Sequence, residues 1–446
     1  MRDVAWLPRV LGAAYLVLGL VGVVVLARLV PPFQNPDELA HVLRAEQVEQ
    51  GGVLGRRFLD EGRAAAGGFL DGGALSVYGV FEPLVFQPGY RATAEMFARA
   101  DTVPWGGKRW WQAFDNTAVY PPFLYAPAAG VIAAGRVGGW TVVRTLHVAR
   151  LCDGVAAVAV GALAVWAAGG VAPLVFALLS LPMALSLMAA VSQDAMLLPV
   201  AALAGGLLVR LRAGEGRAAL WGMCLCLALA GMARPVYLPV AVLPLLAEGV
   251  AWRVRVAGAA VVAGCVLAWV GFAAQGALVD GSEGGLADAG AQLAWLWAEP
   301  GRAWQVAVRT MEVHASALAE GFVGRLGWLD LELPHWVRRV AWASLGLGLL
   351  TSAAPGAWGG RAVAFGAVVA SAGAVFAVQY LTWTPVGLGV VMGVQGRYFL
   401  PLALLAGAAL PGRAVLPRQA ALLLPGMGAV ALGGVVWAVV GRYYLR

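Results

Sequence analysis

The chain has 446 residues, 61% of them hydrophobic and only 12% charged, with a net charge of +7 and a mean hydropathy of +0.78. A soluble domain carries roughly 25% charged residues, so water is excluded as the solvent for most of this chain and a bilayer replaces it. The arginines stand at the ends of apolar runs rather than in a groove interleaved with aromatics, which argues against a nucleic-acid partner.

The first apolar run, from about Val10 to Val30, follows Arg2 and Arg9. It exceeds the roughly 7 to 15 residues of a signal-peptide core and reads as an uncleaved span with its N-terminus inside. Further runs fall at about 121–137, 149–168, 172–190, 195–209, 218–233, 235–250, 256–274, 336–353, 361–381, 395–410 and 419–441. In hydrocarbon such runs satisfy their backbones as helices. The sequence therefore predicts an all-α polytopic membrane protein, one transmembrane domain over 1–446 with about 11 to 13 hydrophobic helices. Cys152, Cys224, Cys226 and Cys265 lie in or beside apolar runs, where cysteine behaves as a small hydrophobe and implies neither disulfide nor zinc site.

Two stretches, 31–120 and 275–335, hold most of the acids and many tryptophans, and read as large outer loops carrying amphipathic surface helices. Arginine bias marks four cytoplasmic loops: Arg210, Arg212 and Arg217, then Arg253 and Arg255, then Arg361, then Arg413 and Arg418. The same alternation puts Asp194, Arg234 and Arg397 outside with the large loops. Three apolar runs separate the first loop from Asp194, and an odd number of crossings would bring it inside. One of them must be re-entrant or broken, and 172–190, with Pro173 and Pro182, is the expected one.

Candidate chemistry begins with PPFQNPDELAHVLRAEQVEQGG, from Pro31 to Gly52. Asn35 suits an N-cap, Pro36 a first helical position, and Gly51 with Gly52 a stop. At helical spacing Asp37, His41 and Arg44 share a stripe with Glu38 on its flank. Two readings stand side by side: the acids complement the helix dipole while His41 pairs with Asp37, or they aim at a cavity. Arg144, His147 and Arg150 follow in RTLHVAR, where Arg150 can pair with Asp153 three residues on. Asp194, in SQDAMLL, is either an N-cap or a functional acid at a membrane boundary. Arg234, in ARPVYLP, and Arg397, in GRYFLP, either snorkel to head groups or clamp a phosphate. GWLDLELP closes the second loop with Asp330 and Glu332, a surface turn or part of a site, and Trp328 and Trp336 read as interface anchors or sugar platforms. No Walker loop, dinucleotide fingerprint, HExxH or GxSxG elbow occurs. A carboxylate-bearing cavity ringed by arginines suits transfer from a lipid phosphate, with a carboxylate as base and cations on the departing phosphate.

Seven motifs, PPFQNPDELAHVLRAEQVEQGG, VYPPFLYAP, VARL, SQDAMLLP, ARPVYLP, GWLDLELP and VQGRYFLPL, resemble in order and spacing the bacterial membrane proteins grouped as domain of unknown function 2142, over about residues 31–405. That family resembles C-type glycosyltransferases, multi-span enzymes that use polyprenyl-phosphate sugars on the outer face of the bacterial plasma membrane. The resemblance implies a catalytic base or acceptor-binding role for Asp37 or Glu38 and matches Asp194 to the acid that opens a later span; His41 and Asp194 are then expected to orient the base. It implies substrate contacts for Arg150, Arg234, Arg397, Tyr398, Tyr120 and Asp330, with Arg234 standing where many relatives have lysine. The implied partners are a polyprenyl-phosphate-linked sugar donor, a glycan or other envelope acceptor and the lipid bilayer. A divalent cation, Mg or Mn, stays open, because some C-type enzymes use one and others do not. A flippase for lipid-linked sugars, without bond chemistry, is the competing reading, and a structural subunit of an envelope assembly machine is a third.

Overall fold

The computed structural model describes residues 6–60, 63–214, 217–277 and 287–445. Arg2 and the 278–286 part of the second large loop lie outside the described residues. A first long helix, α1 (Leu7–Leu29), leads into the loop that carries α2 (Glu38–Glu49), β1 (Arg56–Asp60), β2 (Arg63–Asp71), α3 (Gly73–Phe81), α4 (Ala94–Ala100), β3 (Arg109–Ala113) and α5 (Asp115–Ala118). Then come α6 (Ala126–Val137), α7 (Val142–Ala167), α8 (Ala172–Leu179), α9 (Pro182–Met188), α10 (Gln193–Arg212) and α11 (Arg217–Ala233). A 3-10 stretch, Pro235–Leu246, precedes α12 (Trp252–Gly276), and α13 (Ala289–Ala298) with α14 (Arg302–Val323) forms the second loop. The chain closes with α15 (His335–Leu350), α16 (Trp358–Thr382), a 3-10 turn at Gly396–Phe399, α17 (Leu400–Ala406) and α18 (Leu424–Tyr443).

The all-α membrane architecture is as expected: among the described residues six helices are long and apolar enough to cross a bilayer, and the bent pair α8 and α9 makes up to a seventh. At about 1.5 Å per residue, helices of 20 to 26 residues reach roughly the 30 Å of hydrocarbon. The other apolar runs are shorter pieces, among them Ala218–Ala233, Pro235–Leu246 and Gly396–Ala409.

The break falls where the prolines pointed. Residues 172–190 are indeed broken, with a 77° bend between α8 and α9, yet they connect opposite ends of the bundle. Gly170 accepts from the Ala353 amide at the start, and Val191 donates to Glu38 just past the end. The segment that turns back is 121–137. Its start packs on His41 through Tyr125, Arg136 near its end pairs with Glu46, and the next turn bridges back to the loop at Pro104 and Thr141. The short α6 therefore lies beside α2, with both of its ends at the same end of the bundle as the first loop. That restores the alternation leading to Asp194.

The first loop is more structured than composition suggested. Its strands form a three-stranded antiparallel sheet in the order β1-β2-β3, with Phe69 opposite Trp111 and Gly67 opposite Ala113. Gly67 is obligatory there, because a Cβ would sit 2.0 Å from the Gln112 carbonyl. Nor is α2 a surface helix: Glu38, His41 through Gln47 are buried beneath α3, α5, α6 and the sheet. In the second loop α14 is amphipathic, with Trp304, Met311 and Val313 exposed and Val306, Thr310 and Gly321 buried.

Candidate functional site

Residues 31–37 fold into successive tight turns, so α2 starts at Glu38 and the expected Asn35 cap is absent. Asn35 is buried and accepts instead from the Ser186 hydroxyl at 3.4 Å. Asp37 takes the left-handed conformation at φ 59°, one that Asp tolerates better than most residues because its short carboxylate can bond locally. That twist separates the adjacent acids. The Asp37 carboxylate is 35% exposed and accepts from Arg397 Nη2 at 2.7 Å, with Asn116 donating to its other oxygen at 3.3 Å.

Glu38 points the opposite way and is sealed. Its carboxylate meets Arg150, and both side chains have 0% exposure. Arg150 Nε donates to it at 2.7 Å, while Nη1 and Nη2 reach the carbonyls of Ala27, Val30 and Pro31. The guanidinium is saturated, so Arg150 clasps the end of α1 to α7 and α2 and is not brought to any cavity. Its expected pairing with Asp153 does not form, and Asp153 Oδ1 is buried without a hydrogen bond.

His41, one turn after Asp37, does not pair with it. Its Nδ1 meets the Tyr125 hydroxyl at 2.7 Å, and its ring stacks on Tyr120 with centroids 6.2 Å apart. Burial lowers its pKa to about 4, against the opposing pull of Asp37 and Asp194 and with added lowering from Arg397 and Arg234. Arg44 lies behind, donating to the Tyr120 and Val53 carbonyls at 2.8 and 2.6 Å and so pinning the tyrosine's backbone.

Across from Asp37 a second pair completes the cluster. Ser192 caps α10, its hydroxyl accepting from the Ala195 amide, so Asp194 is not the cap and its carboxylate is left to receive Arg234 Nη2 at 2.7 and 3.0 Å. Arg234 occupies the break between α11 and the following 3-10 stretch, and its guanidinium lies 4.6 Å from the centre of the Tyr398 ring. Arg397 approaches the same ring at 5.7 Å. Tyr237 fixes Tyr398 through its carbonyl at 2.5 Å. Each arginine gives only Nη2 to its aspartate, and both Nε–H groups are buried without a partner. Orphaned buried donors are uncommon in native proteins.

Adjacent residues Arg397 and Tyr398 line different cavities. One, of about 180 Å³, is bounded by Tyr120, Arg234, Tyr398, Gln379 and the apolar Val375 and Val378. The other, of about 120 Å³, lies between α14 and the turn before Arg397. Gly321 and Gly396 let those elements touch, since a Cβ on Gly396 would meet the Leu318 carbonyl at 2.0 Å.

Thus Asp37, His41, Asp194, Arg234, Arg397, Tyr398 and Tyr120 come together, while Glu38, Arg150 and Asp330 do not. Asp330 pairs with Arg442 at 3.0 Å, which also ties down the Leu84 carbonyl. Trp328 donates to the Phe33 carbonyl at 3.0 Å, docking the second loop on the turn before α2, and Trp336 is exposed. Arg144 lies over Trp140, away from the cluster. Sequence reasoning missed Tyr125 and Asn116, although VYPPFLYAP flagged the segment in which Tyr125 sits. Among the described residues no three His, Cys, Asp or Glu side chains group to hold a metal ion. Both aspartates already face arginine, so this donor set does not fit a divalent cation.

A family model described as "Predicted membrane protein (DUF2142)" matches residues 20–406. No curated protein and no solved structure matches the chain.

Proposed function

From a chain that belongs to the DUF2142 family of predicted membrane proteins, we propose a C-type membrane glycosyltransferase that moves a sugar from a polyprenyl-phosphate donor to a cell-envelope acceptor. Two aspartate–arginine pairs around one aromatic corner, with guanidinium donors left over, carry this reading. The cavity edged by Val375 and Val378 of α16 suits a phosphate on a lipid tail, because polar and apolar lining meet there.

In this reaction the acceptor hydroxyl gives its proton to the Asp37 carboxylate as its oxygen bonds to the sugar's anomeric carbon. The bond from that carbon to the phosphate oxygen breaks, and the phosphate departs with the electron pair. Arg234, which lines that cavity, takes up its charge, while Arg397 holds Asp37. Attack opposite the departing phosphate inverts the anomeric centre. Asp37 is the base in preference to Glu38, since it alone of the two is open to a substrate. Asp194 holds Arg234 in position, and neutral His41 anchors the floor between Tyr120 and Tyr125. By the positive-inside rule the opposite end, with Arg210, Arg212, Arg253, Arg255, Arg361, Arg413 and Arg418, is cytoplasmic. The cluster then opens on the outer face of a bacterial plasma membrane.

Asp37→Asn tests the base directly. Transfer of labelled sugar from membrane lipids should fall by about 10² to 10⁴ at matched protein abundance, and an unchanged rate would remove Asp37 from the chemistry.

A further inference from the structure

We propose that the cavity between α14 and the 394–397 turn is an acceptor subsite that takes a carboxylate or phosphate group on the incoming glycan. Its role as an acceptor subsite rests on the transferase reading above; the binding of an anion does not. The cavity is about 120 Å³ and is lined by His314, Arg325, Gln395 and Arg397 together with Ala317 and Leu318. Each of the four polar residues contributes a buried atom with no hydrogen-bond partner: His314 Nε2, Arg325 Nε, Gln395 Oε1 and Arg397 Nε.

Four unpaired polar atoms on residues that line one small cavity call for a partner, since buried polar groups are nearly always bonded. Two guanidinium edges are the geometry that oxyanions satisfy best. A hydroxyl beside such an oxyanion can donate to Gln395 Oε1. Arg325 is available for this, because among the described residues its carboxylate contact is Glu332 at 3.4 Å, exposed at the surface. Arg397 is 6% exposed and holds Asp37 with Nη2, so a group seated on its Nε is one side chain away from the proposed base.

The full-length protein in lipid nanodiscs would be titrated with glucuronate, glycerol 1-phosphate and glucose by calorimetry. One or both anions should bind more tightly than glucose, and the better anion separates the carboxylate source from the phosphate source. Arg325→Gln should weaken that binding about tenfold or more, and Arg325→Lys less. Ala317→Phe, at an exposed position on the cavity rim, should block binding while keeping every charge, and decides the matter if Arg325→Gln fails to fold. Binding of neither anion, equal binding of glucose, or native binding by the Ala317→Phe variant would overturn the proposal. Anion binding that is lost in these variants of a protein showing no sugar transfer would keep the subsite and remove the transferase.

Discussion

Asp37 and Glu38 are neighbours in sequence with opposite expected phenotypes, and the contrast can be worked from the structure. Glu38 and Arg150 are both fully buried, and the carboxylate also accepts the Val191 amide. Removing one partner of a buried pair strands the other charge and costs about 3 to 5 kcal/mol. Glu38→Gln keeps one acceptor oxygen but turns an amide NH₂ toward the guanidinium, so the cost should fall within that range. The Asp37 pair with Arg397 is about one-third open to solvent on the carboxylate side and buried on the arginine side, so its contribution falls between the about 0 to 1 kcal/mol of exposed pairs and the cost of a sealed one. The left-handed backbone at residue 37 suits asparagine as well as aspartate. Size-exclusion thermostability in detergent, read beside a transfer assay, separates the two effects. Glu38→Gln should melt far earlier and keep its activity per folded molecule, whereas Asp37→Asn should melt closer to the native chain and be inactive. A stable, inactive Glu38→Gln would refute the division of roles.

Other consequences follow from particular contacts. Gly396→Ala forces a methyl against the Leu318 carbonyl, so α14 should lift from the Arg397 turn; increased protease cleavage within 302–323 and reduced transfer are expected, and native values for both would argue against this docking. Arg234→Gln should leave Asp194 buried and unpaired, lowering both thermostability and donor affinity, with Arg234→Lys recovering part of each. Folded His41 has its pKa lowered to about 4 from 6.5, so its contribution is fully present above 6.5 and is lost as pH falls toward 4; His41→Phe should remove that component from a melting-temperature profile. Glu46 behaves oppositely. Burial raises its pKa to about 7 from 4.5, offset in part by the Asp71 amide and Arg136, so its contribution is present below 4.5 and lost as pH rises through 7. Glu46→Gln should flatten stability across that window.

Most of the membrane architecture was legible because long apolar runs permit little but helices. Arginine bias called for one broken or re-entrant run before Asp194, and the prolines located the break at 172–190. The segment with Pro173 and Pro182 joins opposite ends of the bundle, whereas 121–137 turns back because Arg136 and Tyr125 bind loop residues distant in sequence. The sheet was missed because RAAAGGFLD is too small and glycine-rich to announce a strand, and its pairing with RWWQA spans some forty residues. Helical spacing grouped Asp37 with His41 rightly but left Glu38 on their flank, because no local rule indicates that residue 37 turns left-handed. Arg150 and Arg397 look alike as sequence, each beside apolar segments; only tertiary packing makes one a saturated clasp and the other a donor with a spare edge.

The most direct test is to compare envelope glycans and lipid-linked sugars from cells carrying the native chain, no chain, or Asp37→Asn at equal abundance. A transferase predicts that both defective strains lose one envelope sugar and accumulate its polyprenyl-phosphate donor on the outer leaflet. Accumulation on the inner leaflet instead, with Asp37→Asn behaving like the native chain, would contradict it and identify a flippase.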